Sequence, residues 1–362
     1  MDQRTSVLVV DDSALVRKLL SHLLDSHPTI DVVGTAIDAK DARQKIKALN
    51  PDVLTLDIEM PGMDGLTFLS KVMTLRPMPV VMVSTLTERG ADASLQAMQL
   101  GAFDVFAKPK EDLAKSLDAY KDTLHNKVLS AAQANIAVLA ARARRQVEVQ
   151  ASAPSNQAVE TIPNIPHASG GVPPIIAIGS STGGTEAVRQ ILERLPANVP
   201  GIVIAQHIPE SFSASFADRL NACSLLSVKE AEDGDRIVPG SAFVAPGGRH
   251  LTVVKQGGHY QCALNDAEPV NRHKPSVDVL FDSVATHASK KALGIILTGM
   301  GKDGAQGLLN MRDQGAHTIA QDEATSVVWG MPGSAVKINA AKDVLPIGDI
   351  PKHLAQRIAR LI

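Results

Sequence analysis

Ser181 lies inside Gly179-Ser180-Ser181-Thr182-Gly183-Gly184, after the apolar run Pro174-Ile175-Ile176-Ala177-Ile178 and before a helical stretch starting at Thr185. This reads as strand, tight turn, helix, with the serine at the apex. A helix start behind the turn supplies free N–H groups and positive potential. The spacing Gly179-x-Ser181-x-Gly183 fits a nucleophile elbow. It also fits a phosphate-cradling loop, or a turn whose hydroxyls cap a helix, and the motif alone does not choose between them. Two further residues bear on the choice. His207 follows the buried-type run Gly201–Gln206, and Asp303 follows Ala292–Leu297 within Thr298-Gly299-Met300-Gly301-Lys302-Asp303-Gly304. If the three runs are parallel strands, Ser181, His207 and Asp303 meet on one sheet edge as nucleophile, base and orienting acid. The glycine-rich loop is not a P-loop, because Ile296 and Asp303 stand where glycine and a hydroxyl residue are required. The spacing of Gly179, Gly183 and Gly184 does not fit a dinucleotide fingerprint. The order Ser, His, Asp also departs from that of the α/β-hydrolases.

A second constellation lies near the N-terminus. Asp11-Asp12, Asp57, Ser84-Thr85 and Lys108-Pro109 each end a β-rich run. Groups just beyond the carboxyl ends of parallel strands converge on one crevice. Three carboxylates there call for a cation, and hard oxygen donors suit Mg2+. The lysine and a hydroxyl beside them suit an anion such as a phosphoryl group.

Two sets of elements must hold these groups. Over residues 5–110, strands are predicted at Ser6–Val10, Ile30–Ala36, Asp52–Leu56, Val80–Ser84 and Phe103–Ala107. Helices with one apolar face alternate with them, and Pro28, Pro51 and Pro79 stand at the breaks. Five such units imply a five-stranded, doubly wound parallel sheet. Leu113, Leu117, Tyr120, Leu124 and Val128 predict one amphipathic helix over 111–147, its Arg142, Arg144 and Arg145 solvated at the end. Val149–Val172 has linker composition. From Pro173 onward strands and helices alternate again, implying a second doubly wound, mostly parallel α/β sheet.

The 362 residues suffice for about two domains, and 44% hydrophobic with 20% charged residues is ordinary for a globular chain. A formal net charge of −2 leaves no footprint for nucleic acid or anionic membrane. Cys223 and Cys262 form no disulfide framework and read as buried apolar filler in a reducing cytosol. With no signal-peptide pattern and no spanning apolar run, a cytoplasmic location without membrane insertion is expected. No His, Cys and carboxylate grouping has zinc-ligand spacing along the chain. His22, His27, His287 and His317 read as structural or solvated. His250 and His273 are candidates to line the substrate cleft, and Asp278 reads as a first-turn helix acid.

Asp11-Asp12, Asp57, Ser84, Lys108-Pro109 and the loop Met60-Pro61-Gly62-Met63-Asp64-Gly65 resemble the flavodoxin-like receiver domain of response regulators, over roughly residues 4–120. The resemblance implies that Asp57 is the phospho-acceptor. It implies that Asp12, Asp57 and the Glu59 carbonyl hold Mg2+, with Asp11 assisting through water, and that Ser84 and Lys108 bind phosphoryl oxygens. Val105 stands where receivers carry an aromatic switch residue; Phe106, one place later, should face the other side of its strand.

The Ser181 motif, Gln206-His207-Ile208-Pro209, the Thr298–Gly304 loop, Ala245-Pro246-Gly247-Gly248-Arg249-His250 and Pro269-Val270-Asn271-Arg272-His273 resemble the chemotaxis protein-glutamate methylesterases. That resemblance implies a receiver over 1–122, a helical extension and linker over 123–171, and a methylesterase domain over 172–362. It implies Ser181 as nucleophile, His207 as base then acid and Asp303 as its orienting group, with Thr182 and the Met300 N–H supporting the oxyanion and no cofactor in the esterase site. The implied substrates are glutamyl methyl esters, and certain glutamines, on the cytoplasmic helices of chemoreceptors. The implied phosphodonor is a chemotaxis histidine kinase, and phosphorylation is expected to gate the esterase in adaptation. A regulator acting only by binding remains an alternative; a DNA-binding output domain is disfavoured by the lack of a basic recognition helix.

Overall fold

The computed structural model describes residues 4–85, 87–108, 117–151 and 172–361. The chain divides into two compact units, residues 1–155 and 156–362.

The first unit runs β1 (Thr5–Val10), α1 (Ala14–Asp25), β2 (Ile30–Ala36), α2 (Ala39–Leu49), β3 (Val53–Asp57), α3 (Gly65–Leu75), β4 (Val80–Ser84), α4 (Glu88–Gln99), β5 (Asp104–Ala107), α5 (Leu117–Ala132) and α6 (Ile136–Ala151). Its sheet has the order β2-β1-β3-β4-β5, and every pairing is parallel. The unbroken apolar runs are explained by helices on both faces: Leu8, Leu54, Leu56 and Met82 are fully buried. The order reverses at β1/β3, so Asp11 and Asp57 leave adjacent strands at one rim.

The helix expected over 111–147 is two helices. The chain turns at Gln133–Asn135, where the Asn135 carboxamide accepts from the Val138 N–H at 3.3 Å and starts the second. The first part of that expectation, residues 111–116 with Pro109 before it, lies outside the described residues, as does 152–171 of the expected linker. The extension does not stand free, since Leu124, Val128 and Leu139 are fully buried in the first unit. Arg144 and Arg145 are exposed as expected, whereas Arg142 is half-buried, its Nη1 donating to the Met98 carbonyl at 3.4 Å.

The second unit runs β6 (Ile175–Ser180), α7 (Gly184–Leu192), β7 (Gly201–Gln206), α8 (Glu210–Cys223), β8 (Ser227–Glu230), β9 (Arg236–Ile237), β10 (Ser241–Val244), β11 (His250–Gln256), β12 (His259–Asn265), α9 (Val277–Ala288), β13 (Ala292–Ile296), α10 (Ala305–Asp313), β14 (His317–Gln321), α11 (Gly330–Lys337), β15 (Asp343–Leu345) and α12 (Ile350–Leu361). Seven strands form a parallel sheet of order β15-β14-β13-β6-β7-β10-β8. A separate antiparallel sheet, β11-β12-β9, comes from a hairpin that turns at Gly257-Gly258. The central strands β13, β6 and β7 are wholly buried, and α9 packs Val277 and Phe281 against the end of β6. Cys262 is in this core, whereas Cys223 is only half-buried. Among the described residues, no helix is long and apolar enough to cross a membrane.

Candidate active site and acidic pocket

β6 lies between β13 and β7, with Ser180 in register with Gln206 and Gly179 with Ile296. Ser181 and His207 therefore leave neighbouring strands, about 4.8 Å apart, at the same level. The backbone ties them together: the His207 N–H donates to the Ser180 carbonyl at 3.1 Å, and the Ser181 N–H donates to the Thr298 carbonyl at 3.1 Å. Beyond Ser181 the chain turns through Gly183 at φ 76°, a left-handed conformation that glycine adopts without steric cost, and enters α7.

The His207 Nε2 lies 2.8 Å from Asp303 Oδ2, and its Nδ1 is buried without a hydrogen-bond partner. This ring presents to the carboxylate the nitrogen that the familiar serine-protease arrangement turns toward its serine. Its other face stacks on His273, with centroids 3.6 Å apart and planes within 9°. His273 thus lines the site through the ring of His207. His250, also expected at the cleft, is fully buried: Nδ1 accepts from the Ser276 N–H at 3.2 Å and Nε2 faces the Glu268 carbonyl at 3.1 Å. It anchors the start of α9 instead of facing substrate.

Asp303 is 1% exposed and held from several sides. Besides His207, it accepts from Asn271 Nδ2 at 2.8 Å, Ser276 Oγ at 2.8 Å and the Val277 N–H at 2.7 Å. The last two belong to the N-terminus of α9, whose dipole favours a negative charge. Burial would raise its pKa, but the hydrogen bond and charge of His207, with Asn271 and Val277, hold the carboxyl well below its usual range. Asp278 is a first-turn acid, as expected, and it also faces this carboxylate. Burial pushes it up to about 6 and the charge of Asp303 adds, against hydrogen bonds from Gly307 and Asn271. Asn271 spans the pair, with Nδ2 2.7 Å from Asp278 and 2.8 Å from Asp303.

Thr182 is nearly buried, its carbonyl accepting from Thr298 Oγ1 at 3.0 Å. Met300 follows Gly299, and a Cβ at Gly299 would lie 2.8 Å from Ser181 Cβ and 2.3 Å from Met331 Sδ. Only a glycine lets this loop approach the serine so closely. Gln206 holds both sides of the site, Nε2 donating to the Ser181 carbonyl at 2.9 Å and to the His207 carbonyl at 3.1 Å. Gln206 and Asn271 stand within the sequence motifs, but their positioning roles, like that of Ser276, emerge only from the tertiary structure. A polar residue one place before a strand-end histidine was the available sign for Gln206; nothing local points Asn271 or Ser276 at Asp303.

In the first unit Lys108 Nζ sits 2.8 Å from Asp57 Oδ2 and 3.1 Å from Asp11 Oδ2. Burial pushes Asp57 up to about 6; the Lys108 hydrogen bond opposes this and the Asp11 charge adds to it. Burial alone would lower Lys108, but Asp57 and Asp11 raise it. Asp11, Asp12 and Asp57 each offer an oxygen, all within 4.8 Å of one another, a donor set that fits a hard cation such as Mg2+. The exposed Glu59 donates its N–H to Asp57 Oδ1 at 3.3 Å. Ser84 is 2% exposed, its hydroxyl donating to the Gly90 and Thr85 carbonyls at 3.2 and 3.3 Å. Arg17, which no sequence motif marks, fixes the acidic turn by donating to the Asp11 and Asp12 carbonyls at 2.8 and 2.9 Å. Phe106 faces away from half-buried Val105 and packs on Tyr120, ring centroids 4.5 Å apart.

Residues 176–354 match the CheB methylesterase family model, and residues 7–118 match that of the response regulator receiver domain. The chain is 52% identical to protein-glutamate methylesterase/protein-glutamine glutaminase 1 of Xanthomonas campestris pv. campestris, covering 96% of each sequence. It is 48% identical to the Nitrosomonas europaea protein-glutamate methylesterase/protein-glutamine glutaminase, covering 98% of this chain and 97% of that one. The Thermotoga maritima CheB methylesterase catalytic domain superposes with a TM-score of 0.50 at 41% identity, covering 51% of this chain and 98% of that domain.

Proposed function

Since the chain belongs to the protein-glutamate methylesterase/protein-glutamine glutaminase family, we propose that Ser181, His207 and Asp303 carry out its ester hydrolysis. Membership makes it a carboxylic-ester hydrolase bearing a receiver domain. The reading is supported chiefly by the 2.8 Å contact of His207 with Asp303 beside Ser181, which leaves Nδ1 as the buried ring nitrogen without a partner. Nδ1 takes the proton from Ser181 Oγ as that oxygen attacks the carbonyl carbon of a glutamyl methyl ester. Asp303 holds the Nε2 proton and stabilises the imidazolium, its own charge secured by α9, Asn271 and Ser276. Thr182 and the Met300 N–H support the oxyanion; one such donor is worth about 10²–10³ in rate. The imidazolium returns its proton to the departing methoxide, and methanol leaves. Water, deprotonated by the same nitrogen, then attacks the acyl-enzyme, and the imidazolium returns that proton to Ser181 Oγ as glutamate is released. With a glutamine side chain the leaving group is ammonia.

Residues 1–122 act as receiver, 123–171 as extension and linker, and 172–362 as the catalytic part. Asp57 accepts a phosphoryl group from a chemotaxis histidine kinase, and Ser84 and Lys108 bind its oxygens. Asp11, Asp12, Asp57 and the Glu59 carbonyl would hold Mg2+, which supplies charge neutralisation when bound. Phosphorylation raises esterase activity in the cytoplasm, where methylated chemoreceptor helices are the substrate and adaptation is the outcome.

The test is methanol release from methylated receptor helices. Loss on the order of 10⁶-fold in Ser181→Ala is expected; retained release would refute the triad. Equal rates for the full chain with and without a small-molecule phosphodonor, and for Asp57→Asn, would refute the activation.

A further inference from the structure

The seven-stranded sheet carries a second cluster of titratable groups at the rim opposite Ser181. β14 begins at His317 and the edge strand β15 begins at Asp343, both at the amino ends of their strands, while His353 lies in the first turn of α12. A five-residue strand separates this rim from the catalytic one by roughly 15 Å. Asp343 Oδ2 lies 2.6 Å from His317 Nε2 and 2.8 Å from His353 Nε2, and the two imidazole nitrogens are 3.3 Å apart. Three donor atoms from three elements thus converge on one point. Side-chain exposures of 14%, 27% and 20% leave that point open to an ion but mostly shed of water.

Protons do not satisfy this cluster well. His353 Nε2 faces the Asp343 carboxylate, which requires it to donate, and Arg357 Nε at 3.2 Å, which requires it to accept. A ring nitrogen does one or the other. We propose that His317 Nε2, His353 Nε2 and Asp343 Oδ2 form a binding site for a divalent transition metal of the zinc class, distinct from the acidic pocket of the first unit. Two imidazoles and a carboxylate are a borderline donor set suited to Zn2+ and unlike the all-oxygen set of Asp11, Asp12 and Asp57. With metal–ligand bonds of 2.0–2.1 Å, the edges of a tetrahedron are about 3.3 Å. The His–His separation already has that length, and the gaps from Asp343 to His317 and to His353 need to open by about 0.7 and about 0.5 Å. The fourth position falls to water. The Arg357 guanidinium, with Nε 3.2 Å from His353 Nε2 and Nη2 3.3 Å from Asp343 Oδ2, gives up the imidazole to the metal and passes to the other carboxylate oxygen. Lys342 is turned away, its Nζ on the Ala316 carbonyl at 2.7 Å. The ion would tie the C-terminal helix to the edge strand, acting on stability and not on ester chemistry.

The three ligands are 26 and 10 residues apart in sequence, so no spacing motif announces them, and His317 read alone looks structural or solvated. The full chain, stripped with chelator and kept in millimolar Mg2+ to fill the acidic pocket, would be titrated with Zn2+ against a chromophoric chelator. One equivalent is expected, with a rise of several degrees in the unfolding of the second unit, followed by the single tryptophan Trp329. His353→Ala and Asp343→Asn should each weaken binding at least tenfold, while His287→Ala and Cys223→Ser leave it unchanged. Co2+ in place of Zn2+ should give a spectrum without a thiolate charge-transfer band. Absence of stoichiometric binding by the wild-type chain would overturn the proposal. So would affinity unchanged in both ligand variants, or a thiolate band. If one ligand variant does not fold, the other and the Co2+ spectrum decide.

Discussion

Replacing Asp57 by asparagine should stabilise the first unit at neutral pH, and the amount follows from the pocket. The Asp57 carboxyl is 1% exposed and faces Asp11, and burial pushes it up to about 6 from the 3.8 of a free peptide. That value already includes the opposing ion pair with Lys108. Between the two pKa values the folded state holds a proton that the unfolded chain has released, so stability falls as pH rises through that window. The contribution is fully present below about 4 and lost above about 6. The difference of 6 − 3.8, at 1.36 kcal/mol per unit, makes the ionised carboxylate cost about 3 kcal/mol. Without Mg2+, Asp57→Asn should exceed wild type by up to that amount at pH 7.5, with the gap closing toward pH 4 and shrinking on adding Mg2+. Trp329 lies in the second unit, so the readout is hydrogen exchange of peptides from β1 and β3. A gap that is the same at pH 5 and 7.5, or an Asp57→Asn chain less protected at pH 7.5, would refute the reasoning.

Asn271→Ala removes the amide between Asp278 and Asp303, so kcat should fall about tenfold and the acid limb of the kcat–pH profile should move upward; an unmoved limb would show that the amide does not hold the Asp303 charge. Gly299→Ala forces a methyl against Ser181 and Met331, and a shift of about 1 Å there should cost on the order of 10² in kcat with circular dichroism unchanged. His250→Leu strands the buried Ser276 N–H, which should destabilise the second unit by roughly 2 kcal/mol in urea titrations followed by Trp329 fluorescence; an unchanged midpoint would count against the anchoring role.

Much of the fold is legible along the chain because it is written in local patterns. The apolar runs ending at Val10, Leu56, Ser84 and Ala107 gave the strands of the first sheet to within a residue or so, since strands covered on both faces must be apolar throughout. The same logic found β6, β7 and β13. It does not reach the hairpin of β11 and β12, although the Gly257-Gly258 turn is a usable sign, and it merges α5 with α6, because apolar periodicity continues across a break that Asn135 makes.

From the amino-acid order alone come the strand ends that carry Ser181, His207, Asp303 and the acid–lysine set of the first unit: each is a short-range pattern of strand, turn and residue type. Which atoms meet is a different matter. That His207 offers Nε2 to Asp303, that Asn271 separates two carboxylates, that His250 is fully buried, and that His317, Asp343 and His353 share one point all depend on how distant segments pack. A side chain's partners are set by the crossing of strands and helices in space, and sequence spacing carries no record of that crossing when the ligands lie on different elements.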